Sequence, residues 1–151
     1  MEIAFLMLAE AVETSSSRML FVFNGGLNHL RSPAYPTILP MLAIVGGIRV
    51  LPAEAAVPHE LVIRGLAPGG ETFMHELRMP FGPMPLIEGR PDLPVYHNLA
   101  LNLRGVPIRE AGTYTFATIV DGREIGRIEF VCDNLAAAQN EAPIQREGVD
   151  R

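Results

Sequence analysis

The sequence predicts an all-β protein: a two-layer antiparallel β-sandwich of about eight strands with an immunoglobulin-like or jelly-roll arrangement. Three observations support this fold class. Helical periodicity is hard to find along the chain. Turn-forming Gly, Pro and Asn residues recur roughly every ten to fifteen positions, and several segments between them alternate apolar and polar side chains with the two-residue period of a half-buried strand.

The expected strands are separated by connectors rich in Pro, Gly and Ser. They lie near residues 3–12, 18–27, 38–51, 59–66, 72–79, 96–104, 113–121 and 124–132. The length of 151 residues suits a single domain. We place that domain at residues 1–133 and expect residues 134–151 to form a flexible C-terminal tail, because they lack a buried pattern.

The stretch "AGTYTFATIVDGREIGRIEFVC" carries the clearest structural signal. Two alternating runs flank Asp121-Gly122, a pair typical of a two-residue β-hairpin turn. Continuing the register from this turn would place Arg127 opposite Phe116, on the apolar face. A one-residue bulge at Gly126 avoids that mismatch. The bulge brings three apolar residues onto the buried face: Ile128, Phe130 and Cys132.

The first part of the chain does not alternate in this way. "IAFLMLA", "MLFVF" and "ILPMLAIVGGI" are apolar on both faces, whereas each strand of a two-layer sandwich shows one face to water. Such strands need a third layer: a folded-over loop, a partner chain or a ligand. We expect them to supply a subunit interface, formed by Phe5, Met7, Met19, Phe21, Phe23, Ile44 and Ile48.

The leading hypothesis is therefore a non-catalytic binding or assembly module. It would self-associate or dock a protein partner through its apolar N-terminal strands, and a homo-oligomer is the expected form. On a monomer these strands would expose a larger apolar patch than soluble proteins usually tolerate. A structural subunit of a phage or another particle is a variant of the same hypothesis.

The long connector "PFGPMPLIEGRPDLP" supports an alternative, a small-ligand or carbohydrate-binding sandwich. In this interpretation the loop at 80–97 forms a pocket whose rim carries Arg90, Tyr96 and His97. The chain has only three Tyr and no Trp, which counts against a sugar-binding platform. The connector would otherwise pack its apolar residues onto the sandwich.

No catalytic residue, cofactor or metal site is expected. The histidines at 29, 59, 75 and 97 lack the HxH or HExxH spacing of metal ligands. His75 and His97 share the apolar parity of their strands, so a histidine pair is a third, enzymatic hypothesis. Histidines at a core margin are the more common explanation. Cys132 has no basic neighbour on its face and is expected to be an inert core thiol.

The charge of the chain argues against nucleic acid as a partner, since the formal net charge is -5 and no basic stripe is present. The single cysteine leaves no disulfide within the chain and favours a reducing compartment. The segment "MEIAFLMLAEAVE" lacks a basic start and is closed by Glu10 and Glu13. We therefore expect neither a signal peptide nor a membrane span, and a cytoplasmic location.

Two resemblances accompany these patterns. "REAGTYTFATIVDG" resembles the start of a late strand in immunoglobulin-like sandwiches, where a tyrosine hydroxyl bonds back to the backbone, and Tyr114 would be its counterpart. "MEIAFLMLAEAVE", "FNGGLNHLRSP", "LPMLAIVGGIRV" and "GTYTFATIVDG" together resemble an uncharacterised bacterial family of small β-sandwich proteins, a domain of unknown function. The resemblance implies the fold and brings no catalytic residue with it.

Overall fold

A computed structural model describes residues 1–135, which form ten β-strands and one short helix. The strands are β1 (Glu2–Ala9), β2 (Ala11–Thr14), β3 (Leu20–Phe23), β4 (His29–Ser32), β5 (Thr37–Val50), β6 (His59–Leu66), β7 (Leu77–Phe81), β8 (Val95–Ile108), β9 (Gly112–Val120) and β10 (Arg123–Asn134). The helix, α1 (Pro52–Ala55), follows β5.

Two main sheets pack face to face. One has the strand order β1-β5-β8 and the other β4-β10-β9-β6-β7. Their pairings are antiparallel except that of β4 with β10, which is parallel. Both sheets contribute to one core, whose largest fully buried side chains include Leu8, Leu42, Ile44, Ile48, Leu61, Ile63, Leu99, Tyr114, Phe116 and Phe130. The expected all-β, sandwich-like fold is confirmed, and the immunoglobulin-like or jelly-roll assignment stays a prediction.

The third layer expected over the apolar strands is present, and the chain supplies it. β5 buries Leu42 and Ile44 toward the core between the sheets, and Ala43 and Val45 on its outer face, all at 0% exposure. The hairpin of β2 and β3 folds over that outer face and packs Val12 against it. Of the three covers expected, a folded-over segment of the chain is therefore the one observed on β5.

Two asparagines of β8 hold this hairpin in place. The Asn102 side chain accepts a hydrogen bond from the Val12 N–H at 3.0 Å and donates one to the Val12 carbonyl at 2.7 Å. The Asn98 amide donates to the carbonyl of Arg18, in the turn between β2 and β3, at 2.8 Å. The hairpin is thus attached by its backbone as well as by apolar packing.

Three segments differ from the sequence-based expectation. The strand expected at 3–12 divides at Glu10 into β1 and β2, because the chain bends there to lay the hairpin over its own sheet. β4 overlaps the start of the expected connector "RSPAYP". It pairs with β10, which is distant in the sequence, so no local pattern predicts this strand. The strand expected at 72–79 begins only at Leu77, and Phe73 reaches the core from a non-strand segment.

β10 is the last strand among the residues that the structure describes. β10 continues to Asn134, which pairs with Ser32 of β4. The flexible tail expected at 134–151 falls almost wholly on residues 136–151, which lie outside the described residues.

The β9–β10 hairpin has the predicted register. Asp121 and Gly122 have φ of 50° and 78°, and positive φ at both central positions is what a type I′ turn requires. The register shifts between Glu124 and Gly126, after which Ile128 lies opposite Phe116. The predicted bulge and the buried position of Cys132 are both confirmed.

Tyr114 links the start of β9 to the chain that precedes it. The N–H groups of Arg109 and Glu110 donate to its hydroxyl oxygen at 3.1 and 3.2 Å, and the hydroxyl donates to the Glu110 carbonyl at 3.0 Å. The ring itself is fully buried, 5.1 Å from that of Phe73 in an edge-to-face arrangement. These bonds fix the short connection between β8 and β9.

Gly126 allows β1 to approach β10 closely, because a Cβ at this position would lie 2.6 Å from Ile3 Cγ1. We expect Gly126→Val to lower the free energy of unfolding by about 1–3 kcal/mol through overpacking. Urea denaturation measures the change. Arg127→Val is the matched control, since Arg127 is exposed and loses only a surface ion pair with Glu124, which should change stability by no more than about 1 kcal/mol. Equal effects of the two variants would contradict the contact.

Candidate functional site

The outer side of the β2–β3 hairpin carries aromatic side chains toward solvent. Phe21 lies opposite Glu13 in the hairpin, and Val12 lies opposite Val22. Because alternate residues of a strand point to opposite faces, Phe21 and Phe23 project away from the sheet that Val12 covers. Phe21 is 54% exposed and Phe23 50% exposed. The inner side of the hairpin is therefore buried around Val12 and Leu20, while the outer side is left without a cover.

Phe5 is exposed on the same outer side of the β1-β5-β8 sheet. It lies opposite Gly47 of β5, next to an irregularity in β1 between Ile3 and Phe5. A Cβ on Gly47 would lie 2.5 Å from Phe5 Cε1, so the ring occupies the space of the missing side chain. We use the name outer apolar surface for four exposed residues on this side of the protein: Phe5, Met19, Phe21 and Phe23.

The predicted interface residues fall into two groups. Phe5, Met19, Phe21 and Phe23 belong to the outer apolar surface, and Met7 is partly buried beneath the hairpin. Ile44 and Ile48 have 0% exposure in the core between the sheets. Their assignment to an interface is wrong, because they occupy the inner face of β5, where the second sheet covers them.

A cleft of about 480 Å³ opens where β7 and β8 face each other at the edges of the two sheets. Each strand is the last of its sheet among the residues that the structure describes. The apolar lining comes mainly from Phe81, Met84, Val95 and the prolines at 80, 83 and 85. The polar lining comes from Thr14, Arg18, Tyr96, His97 and Asn98.

His97 forms part of the cleft wall and stacks on Phe81, with ring centroids 4.6 Å apart and planes at 27°. Burial lowers the pKa of His97, and the positive charge of Arg18 lowers it further. His97 is therefore neutral near pH 7, and its ring nitrogens offer one donor and one acceptor.

Arg18 brings a positive charge to the cleft. Its N–H donates to the Ser15 carbonyl at 2.9 Å, and its φ of 61° lies in the left-handed region that few non-glycine residues adopt. Within residues 1–135, the guanidinium forms none of the ion pairs that the structure contains. No carboxylate lines the cleft in the described part of the chain.

The predicted pocket rim is partly assembled. Tyr96 and His97 line the cleft, and Tyr96 is 59% exposed. Arg90 does not line it, and its guanidinium pairs with Asp92 at 3.2 Å within the exposed connector. Of the apolar residues of this connector, Met84 packs against the core, whereas Leu86 and Ile87 stay exposed.

His75 and His97 do not share a site. His75 is exposed and lines a second cavity of about 430 Å³ together with Arg109, whereas His97 lines the cleft at β7 and β8. Among residues 1–135, no three His, Cys, Asp or Glu side chains are grouped so that they could hold a metal ion. Burial and the nearby charge of Asp133 raise the pKa of Cys132 to about 11, so its thiol stays protonated.

His59, which sequence reasoning did not single out, is the centre of a buried polar contact. Its Nδ1 lies 2.7 Å from Asp121 Oδ2, and its Nε2 lies 2.8 Å from the Glu54 carbonyl oxygen. Because a carbonyl only accepts hydrogen bonds, Nε2 carries a proton, and a second proton on Nδ1 satisfies Asp121. Burial acts to lower the pKa of His59, but the hydrogen bonds to Glu54 and Asp121 outweigh it and raise the pKa.

Neither Arg18 nor the His59–Asp121 pair has a signal in the sequence. Arg18 was expected at the start of a strand, and nothing local indicates that its turn reaches β8. In the sequence, the hairpin turn is a sufficient reason for an aspartate at 121. Only the pairing of β6 with β9 brings Asp121 beside His59. Strand pairing would have to be known before either contact could be found.

Comparison with known proteins identifies the family. A family model matches residues 4–133 of the 151 residues. The chain belongs to the family of unknown function DUF6941. The predicted resemblance to a family of unknown function is therefore confirmed. No curated protein matches the chain.

Among solved structures, the Pseudomonas fluorescens alkylpurine DNA glycosylase AlkC bound to DNA containing an abasic site analog is similar, with a TM-score of 0.44 and 11% identity. The match covers 87% of this chain and 30% of that protein. A likeness at this level carries no argument about function. In the described residues, no helix is long and apolar enough to cross a membrane.

The raised pKa of His59 predicts a pH-dependent contribution to stability. That contribution is complete below the ordinary histidine pKa of about 6.5 and is lost as pH rises through the higher folded pKa. We expect His59→Gln to lower the free energy of unfolding by about 1–3 kcal/mol near pH 5.5 and by less near pH 9. Urea denaturation at the two pH values measures both effects.

The matched control is His29→Gln, because His29 pairs with Asp133 at an exposed position. We expect it to change stability by no more than about 1 kcal/mol at either pH. A deficit of His59→Gln that grows with rising pH would contradict the assignment of a charged imidazole.

Proposed function

We propose that this protein is a non-catalytic binding and assembly module that self-associates through its outer apolar surface. The observation that carries the proposal is the pair Phe21 and Phe23, half exposed on a hairpin whose other side is already buried. Exposed aromatic side chains grouped on one face are typical of protein interfaces. Phe5 and Met19 enlarge the surface on the same side.

A second copy of the chain is the partner that this geometry favours. Among the described residues, β3 is hydrogen-bonded to β2 alone, so its other edge is free. An antiparallel pairing of β3 with the β3 of a second copy is compatible with two-fold symmetry and would place Phe21 and Phe23 of both chains on one face. Edge pairing supplies hydrogen bonds, and the aromatic rings supply apolar burial.

The expected affinity is moderate. Full burial of one phenylalanine contributes about 1.5–3 kcal/mol, and about half of each ring is already buried. Four rings then add at most roughly 3–6 kcal/mol, because edge pairing packs them side by side and leaves their shared face open. This only approaches the cost of association of about 4–15 kcal/mol. Backbone pairing and the contacts of Phe5 and Met19 must supply the remainder. We therefore expect a dimer that dissociates on dilution, with a Kd on the order of micromolar.

Phe21→Lys tests this proposal. The lysine would lie opposite Glu13, so a favourable cross-strand pair preserves the hairpin while the apolar surface is lost. Size-exclusion chromatography with light scattering should give the wild type a concentration-dependent mass approaching twice 16.5 kDa, and Phe21→Lys a mass near 16.5 kDa at all concentrations.

Ile87→Lys is the matched control, since Ile87 is also about half exposed but lies in the connector between β7 and β8. Its mass should follow that of the wild type. A wild type that is monomeric at high concentration, or a dimer that Phe21→Lys leaves intact, would refute self-association through this surface.

A further inference from the structure

The cleft between β7 and β8 has no role in the proposed self-association. Its volume of about 480 Å³ lies within the range of small-molecule sites. Three separate elements build it: the end of β7 with the residues that follow, the start of β8, and the turn of the β2–β3 hairpin. Sites at which several elements converge are positioned by the fold as a whole.

The charge of the cleft is opposite to that of the chain. The protein carries a formal net charge of -5, yet the described residues that line the cleft include Arg18 and no carboxylate. A single guanidinium matches a single negative charge, and its fork of donors fits the two oxygens of a carboxylate. The neutral imidazole of His97 and the amide of Asn98 add hydrogen-bonding groups beside it.

The turn that carries Arg18 is held in position. The Arg18 N–H bonds to Ser15, and the Arg18 carbonyl accepts a hydrogen bond from Asn98 on the cleft wall. The charged side chain therefore starts from an anchored backbone, which reduces the entropy that binding would cost.

The remaining lining favours an apolar ligand body over a sugar. Phe81 is covered by the rings of His59 and His97, at centroid distances of 5.3 and 4.6 Å. Tyr96 is the exposed aromatic ring of the lining, and Met84 with neighbouring prolines completes an apolar wall. More of the exposed lining is apolar than polar, which suits an apolar ligand body better than the many hydroxyls of a carbohydrate.

We infer that this cleft binds a small organic monocarboxylate, with its acid group on Arg18 and its apolar, planar body against Tyr96 and Met84. The carboxylate can accept two hydrogen bonds from the guanidinium. The inference is independent of the proposed self-association, since none of these three residues belongs to the outer apolar surface.

Titration with 3-phenylpropionate, followed by NMR of labelled methionine methyl groups, tests this inference. Met84 reports on the cleft, and Met7, beneath the hairpin, is an internal reference. We expect a saturable shift of the Met84 methyl signal and an affinity about tenfold or more above that of the neutral 3-phenylpropionamide. Equal affinities for acid and amide would overturn the inference. So would the absence of a saturable Met84 shift at millimolar acid.

Substitutions at Arg18 provide the decisive comparison. Arg18→Asn removes the charge while asparagine tolerates the positive φ of this turn, and Arg18→Lys keeps the charge. We expect Arg18→Asn to weaken binding of the acid about tenfold or more and Arg18→Lys to weaken it less. Unchanged binding by Arg18→Asn would refute the role of the charge.

Thr14→Glu gives a test that leaves the turn itself unaltered. It adds a carboxylate to the cleft lining, which repels the ligand or occupies Arg18. Binding of 3-phenylpropionate should again fall about tenfold or more, whereas binding of the amide should change little. Retained binding of the acid by a folded Thr14→Glu protein would overturn the inference.

Discussion

The burial of β5 on both faces is the constraint on which the rest of the structure depends. Its inner face contributes Leu42 and Ile44 to the core between the sheets, and its outer face presents Ala43 and Val45, which are equally buried. A strand in a two-sheet sandwich ordinarily has one solvated face, so β5 requires an additional layer. The small outer side chains let the β2–β3 hairpin approach closely, and Asn102 satisfies its backbone.

The hairpin that covers β5 also determines which aromatic and charged side chains lie exposed nearby. The hairpin has two faces, and using one of them against the sheet directs Phe21 and Phe23 into solvent. The turn of the same hairpin reaches the start of β8 and carries Arg18 to the cleft. A single covering element thus contributes to both proposed sites, the aromatic one through its strands and the charged one through its turn.

The two sides of the sandwich are closed to different degrees. On one side Ile3 of β1 contacts Gly126 of β10, and the absence of a side chain there lets the sheets meet. On the other side Phe81 lies between the rings of His59 and His97, which links β7 to β6 and β8. Rings bridge this side without filling it, so a cleft remains. The candidate ligand site therefore follows from how the sheet edges are joined.

Features contained within one hairpin could be predicted from the chain itself. The turn at Asp121, the bulge before Gly126 and the buried Cys132 all follow from turn chemistry and two-residue alternation. The length of the connector also suggested a pocket near Tyr96 and His97, and both residues line a cleft. The sequence could not show that Arg18, rather than Arg90, lies at the cleft. Both are arginines of polar segments, and their distances from β8 depend on long-range strand pairing. By itself the sequence determined that the strand now seen as β5 must be covered on both faces, because exposed apolar surface is costly whatever covers it. Only the tertiary structure decided that the cover is the chain's own hairpin, because the hydrophobic effect is non-directional and does not select among covers.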